Sequence, residues 1–160
     1  GKVATKVRWQ TKDVDAYLKT KEYVDTALIP LIPISMADDF KSTVAMGDFI
    51  TIISMEIERQ FQGRVMQIPP FTYLKEESID ERVARLEDWC SHLERAGLTF
   101  FVFLTSDGEW KKVEARLHNS LIWLPTIPLE HVDIQYKREI IEQQVKQVMP
   151  LLTDKWQQVQ

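Results

Sequence analysis

The sequence predicts an α/β fold: a three-layer α/β/α sandwich on a small, mostly parallel sheet of about four strands, Rossmann-like or flavodoxin-like. Three observations predict it. Apolar runs suited to strands alternate with segments whose apolar residues recur every three or four positions. No two-residue hairpin signal joins one strand to the next. The strongest strand candidates are apolar on both faces, as strands covered by helices on either side must be. Strand and helix alternate four times after a leading helix, which calls for right-handed crossovers.

Thr11 is placed to cap a short helix with Val14, Tyr17 and Leu18 on one face and Asp13 and Asp15 in its first turn. Thr26 to Ile34 reads Thr-Ala-Leu-Ile-Pro-Leu-Ile-Pro-Ile, a strand apolar on both faces. Proline has no N–H for a ladder, so the regular strand is expected to end near Ile29. Pro30 to Ile34 then leave it as a stiff exit, unless the strand continues bulged or at an edge. A long helix over 37–62 follows from the spacing of Phe40, Val44, Gly47, Ile50, Ile53, Ile57 and Phe61, with Glu56, Glu58 and Arg59 facing solvent and Gly63 ending it.

Arg64 to Ile68 is a short second strand, stopped by Pro69 and Pro70 and followed by a loop over 71–74. Ser78 and Glu81 form a capping box for the third helix, and Gly97 closes it; Ile79, Val83, Leu86, Cys90 and Leu93 make its inner face. Leu98 to Thr105 has the β-branched and aromatic character of a central strand. After the turn Ser106-Asp107-Gly108 a fourth helix is expected over 109–118, then a strand over 121–124 stopped by Pro125. The last helix carries Ile134, Ile141, Val145, Val148 and Leu152 on one side, with Pro150 expected to kink or break it.

With 160 residues, 44% hydrophobic and 28% charged, the chain has the size and composition of one globular domain. Residues 1–7 show no apolar period and are expected to be a flexible extension, leaving 8–160 as the domain. A single cysteine, Cys90, forms no intramolecular disulfide and supplies no thiolate metal site by itself. Together with the lack of an export signal or a long apolar span, this gives a cytoplasmic, non-membrane expectation. The net charge of −4 argues against broad nucleic-acid binding, although a local basic patch is compatible with it.

Parallel sheets place ligands beyond the carboxyl ends of their strands. Six of the seven prolines, Pro30, Pro33, Pro69, Pro70, Pro125 and Pro128, fall just after predicted strands and stiffen the loops of that face. The polar residues there are Ser35, Asp38, Asp39, Thr72, Tyr73, Lys75, Ser106, Asp107, Thr126, Glu130 and His131, most of them suited to helix caps or solvated surface. Neither a Gly-x-Gly-x-x-Gly nor a Gly-x-x-x-x-Gly-Lys-Ser/Thr motif is present, and there is no Gly-x-Ser-x-Gly elbow or His-Glu-x-x-His helix. Asp38, Asp39 and Asp107 resemble the acidic cluster of phosphoacceptor receiver domains only poorly, because no acidic pair directly ends the first strand. Cys90 sits at an apolar mid-helix position, where a buried structural thiol is expected rather than a nucleophile. No cofactor or metal is called for.

Four segments carry a resemblance: residues 12–18 (Lys-Asp-Val-Asp-Ala-Tyr-Leu), 23–33 (Tyr-Val-Asp-Thr-Ala-Leu-Ile-Pro-Leu-Ile-Pro), 69–74 (Pro-Pro-Phe-Thr-Tyr-Leu) and 121–125 (Leu-Ile-Trp-Leu-Pro). In these the chain resembles the YpiF-like family of Bacillus-type bacteria, over about Arg8 to Trp156. The family's function is unknown, so the resemblance implies a bacterial cytosolic setting and no functional residues. Three functional readings follow. The first is a non-catalytic binding or protein-interaction domain, whose partner is a protein or small molecule. The second is a small-molecule or phosphate-handling enzyme built on Asp38, Asp39, Asp107 and His131. The third is a structural subunit that oligomerises through Trp156 and the last helix, and the sequence leaves the oligomeric state open.

Overall fold

Thr26–Ile34 (β1) is the centre of the molecule in a computed structural model that describes residues 6–158. Around it the chain forms α1 (Thr11–Thr20), α2 (Phe40–Gln60), β2 (Val65–Gln67), β3 (Phe71–Leu74), α3 (Ile79–Arg95), β4 (Phe100–Thr105), a 3-10 segment (Gly108–Arg116), β5 (Leu121–Trp123) and α4 (Ile134–Gln157). All pairings are parallel, in the order β2-β1-β4-β5, with β3 also on β1. β2 pairs with the first half of β1 and β3 with the second, so five strand segments fill four positions. Counted that way, the order is 2-1-3-4, that of flavodoxin-like doubly wound sheets.

Residues 71–74, expected as a loop, are therefore a strand. Thr26 faces Val65 while Leu31 faces Phe71, so one extra residue is absorbed between β2 and β3 at Ile68-Pro69-Pro70. The same interruption explains why β1 does not end near Ile29. Carbonyls of Leu28 and Ile34 accept from Ile68 and Lys75, so even-numbered residues of β1 turn their amide groups toward β2 and β3. Pro30 thus points its nitrogen at the gap between them. Odd-numbered residues face β4, and Pro33 lies three residues past the last β1–β4 partners, Pro30 and Leu104. Each proline sits where the ladder asks for no N–H, and neither lies in a strand-end loop.

Alternation along β1 divides the core. Ala27, Ile29 and Leu31 join α3, Trp110 and Leu117 on one face; Leu28 and Ile32 join α2 and α4 on the other. Gly47 lets α2 approach β1 closely, since a Cβ there would lie 3.1 Å from Ile32 Cγ2. Three further expectations change. The helix expected over 109–118 is a 3-10 segment broken at Val113 (φ −120°), consistent with the poor geometry of long 3-10 runs. Of the kink or break expected at Pro150, the break does not occur: α4 continues through it, with Thr153 Oγ1 hydrogen-bonded to the carbonyls of Met149 and Pro150. Gln10 rather than Thr11 is the N-cap of α1.

Glu58, read as solvent-facing, is buried. It accepts the Val7 N–H and the Arg8 Nε at 3.0 Å each, and Val7 is itself buried with its carbonyl on Gln67. The chain entering α1 covers the carboxylate and supplies the cation that a buried charge requires. Residues 1–5 of the expected extension lie outside the described residues.

Candidate functional site

Strand order reverses between β1 and β4, so the loops that follow them flank the crevice where doubly wound sheets take ligands. Ser35 and Asp39 come from the first loop, Ser106 and Asp107 from the second. Ser35 Oγ donates to Asp39 Oδ1 at 2.6 Å and accepts the Ala37 N–H at 3.3 Å, which folds the turn into α2. Lys75 Nζ, just beyond β3, donates to Asp39 Oδ2 at 2.7 Å. Hydrogen bonds from Lys75 and Ser35 hold the Asp39 carboxyl below the usual carboxylate range.

Across the sheet end, Asp107 caps the 3-10 segment by accepting the Glu109 N–H at 3.1 Å. Its other oxygen accepts from the Tyr73 hydroxyl at 2.7 Å, and that hydroxyl accepts the Trp110 indole N–H at 2.9 Å. Burial, and then the adjacent Asp107 carboxylate, push the Tyr73 phenol well above its ordinary pKa. A phenol in that state is a hydrogen-bond donor, not a base.

Arg82 links the two groups. It is 1% exposed, lies 4.5 Å over the Tyr73 ring, and donates to the carbonyls of Lys75 and Glu77 and to Glu109 Oε2. Ser35, Asp39, Lys75, Arg82, Tyr73 and Asp107 thus form one run of contacts that fastens the loop after β3. Arg82 and Glu109 were missed by the sequence reading. The signal was there: Arg82 falls among Ile79, Val83 and Leu86 on the apolar stripe of α3, where a cation must find partners.

The remaining expected site residues stand apart from this run. Asp38 and Thr72 are exposed, although Arg85 binds the Thr72 carbonyl at 3.1 Å. Thr126 is half-buried. His131 is 87% exposed, 3.7 Å from Glu130. Ser106 Oγ is buried and has no hydrogen-bond partner among the described residues. Cys90 is buried, and that burial, with Glu94 and Glu87 near, pushes its thiol up to about 12. Trp9 is exposed, whereas Trp156 packs on Phe61 and donates to Thr26 Oγ1 at 2.8 Å.

Among the described residues no three His, Cys, Asp or Glu side chains gather as metal ligands, and no helix is long and apolar enough to cross a membrane. The fold and the strand-end face define a small doubly wound α/β domain whose polar groups there chiefly bind one another. The chain belongs to the family described as protein of unknown function (DUF2487), which matches residues 15–156. It is similar to the uncharacterized protein YpiF of Bacillus subtilis (strain 168), with 36% identity over 153 residues, covering 94% of this chain and 98% of that protein. The resemblance read from the sequence is thereby borne out. No solved structure matches the chain.

Proposed function

We propose that the domain is a non-catalytic binding module that recognises another protein through the corner formed by the ends of β1 and β3 and the start of α2. The observation that carries this is a division of labour at the strand ends: the polar side chains are tied to one another, and large apolar ones are left in solvent. Ile34 and Leu74 are register partners on adjacent strands and both are exposed. Phe40 and Val44 lie seven and three residues before Gly47 on the side of α2 that meets Ile32, so they run on toward Ile34. Met36, between them, is 82% exposed. Five such side chains present on the order of 500 Å² of apolar surface, a patch of the size that on monomers often marks an interaction site.

Contact through side chains fits better than addition of a strand. The outward carbonyls of β3 are already engaged, Thr72 by Arg85 and Leu74 by the Glu77 N–H. A photo-crosslinking amino acid at position 36, in cells that make the protein naturally, tests the reading. A discrete protein adduct is expected there and not from the same residue placed at the exposed position 114. Absence of adducts at 36, or a small-molecule turnover abolished by Asp107→Ala, overturns it in favour of a ligand-handling enzyme.

A further inference from the structure

The apolar stripe of α4 outruns its cover. Val145, Val148 and Leu152 are buried in the core shared with α2, β4 and β5, and Ile141 is half-buried against it. Ile134, two turns earlier on the same stripe, is 78% exposed. A helix face that is core-like along its length but open at one end has an unfilled neighbour position. Beside that end a cavity of about 360 Å³ opens between the helices, lined by Ile134, Lys137, Arg138 and Ile141 of α4 and by Glu56 and Arg59 of α2.

Charges decide what fits. Arg59 is bound to Glu56 through both its Nε and a terminal nitrogen, with Glu142 nearby, so this side of the groove is neutralised internally. Lys137 and Arg138 have neither a hydrogen bond nor an ion pair from their side chains among the described residues. Two unpaired cations flanking two isoleucines, on a chain of net charge −4, complement a partner that is acidic and apolar together.

We propose that this groove docks an acidic amphipathic helix of another protein, its apolar residues on Ile134 and Ile141 and its carboxylates on Lys137 and Arg138. The span from Ile134 to Ile141 is about 10 Å along α4, room for two turns of a partner helix with anchors at i, i+3 or i+4 and i+7. This surface is distinct from the strand-end corner. Glu56 and Arg59 lie in the last turns of α2, just before the chain enters β2, at the opposite end of the sheet.

Selection from a random helical-peptide library displayed on phage, with the full chain as bait, tests the proposal. Peptides carrying Asp or Glu beside two spaced apolar residues are expected. Their affinity should fall at least tenfold in Lys137→Glu/Arg138→Glu and weaken with salt, while Met36→Glu leaves it unchanged. Lys137 is half-buried and Arg138 exposed, and an unaltered circular dichroism spectrum shows that the double variant is folded. Neutral or basic consensus sequences, no enrichment, or affinity retained in the double variant each overturn it. Concentration-dependent self-association in ultracentrifugation, lost in the same variant, also overturns it and names a second copy of the chain as the occupant.

Discussion

The Tyr73 hydroxyl donates to Asp107 Oδ2 at 2.7 Å across the ends of β3 and β4, joining the edge of the sheet to the cap of the 3-10 segment. Both residues are buried, so neither exchanges this bond for water. Tyr73→Phe leaves Asp107 with an unmet acceptor and Trp110 with an unmet indole N–H. We expect a loss of about 1–3 kcal/mol in urea unfolding, the range for stranding buried polar groups. An unchanged midpoint would mean that water replaces the hydroxyl and that the pair is not an anchor.

Arg82 is the more severe case. Its guanidinium holds the carbonyls of Lys75 and Glu77 and the carboxylate of Glu109, all at 2.8 to 2.9 Å, from a position 1% exposed. Arg82→Ala frees the carbonyls of Lys75 and Glu77 from α3 and opens a void beside Tyr73. Glu109 is 47% exposed and returns to water, whereas the two carbonyls lose a charged donor, so a loss of about 1.5–3 kcal/mol is expected. Arg82→Lys is expected to recover less than half of that, because an ammonium cannot span three acceptors in a planar fork. Equal stability of the lysine variant and the parent, measured by guanidinium unfolding, would count against the fork.

Local rules were legible where local chemistry decides the outcome. Ser78 accepts the Glu81 N–H as the capping box requires, and Gly97 takes φ 101° beyond the end of α3. Propensity alone placed β4. What could not be read was set by partners distant in sequence. Phe71 to Leu74 is a strand because the far half of β1 is free to pair with it, and Pro30 is tolerated because its neighbour strand is interrupted at Pro69-Pro70. Topology brings Ser35, Asp39, Tyr73 and Asp107 to one end of the sheet, yet their wiring through Arg82 was invisible, since only the fold brings α3 under the loop after β3. Glu58 was misread for the same reason: its cover comes from Val7 and Arg8, some fifty residues earlier.

Acid sensitivity should report the Asp39–Lys75 contact. The folded-state pKa of Asp39 is depressed below its ordinary value of 3.8, first by the Lys75 hydrogen bond and then by that of Ser35. A depressed carboxylate contributes stability that is present above its unfolded pKa and is lost as pH falls through the folded one. The thermal midpoints of the parent and of Lys75→Met are therefore expected to differ most near neutrality and to converge as the pH falls below 3.8 and through the depressed folded pKa. A carboxyl-detected NMR titration gives the direct check: the Asp39 midpoint should rise in Lys75→Met. If it stays put, Ser35 and the helix start, not the ammonium, set its value.

Gly47 separates two opposing effects at the closest approach of α2 to β1. Alanine in a helix interior is favoured over glycine by about 1 kcal/mol, so Gly47→Ala would stabilise an isolated α2. In the folded protein, however, the new methyl would lie 3.1 Å from Ile32 Cγ2, inside comfortable contact, and Ile32 is held between α2 and the sheet. The two effects are of similar size, and Gly47→Ala is expected to shift stability by less than about 1 kcal/mol. Gly47→Leu has no such balance and should destabilise by about 1–3 kcal/mol or more, because α2 must lift from β1 to admit it. A double-mutant cycle isolates the contact: in an Ile32→Ala background the clash is gone, so Gly47→Ala should become clearly stabilising. Additive effects of the two substitutions in urea melts would show that α2 does not rest on Ile32 at this point.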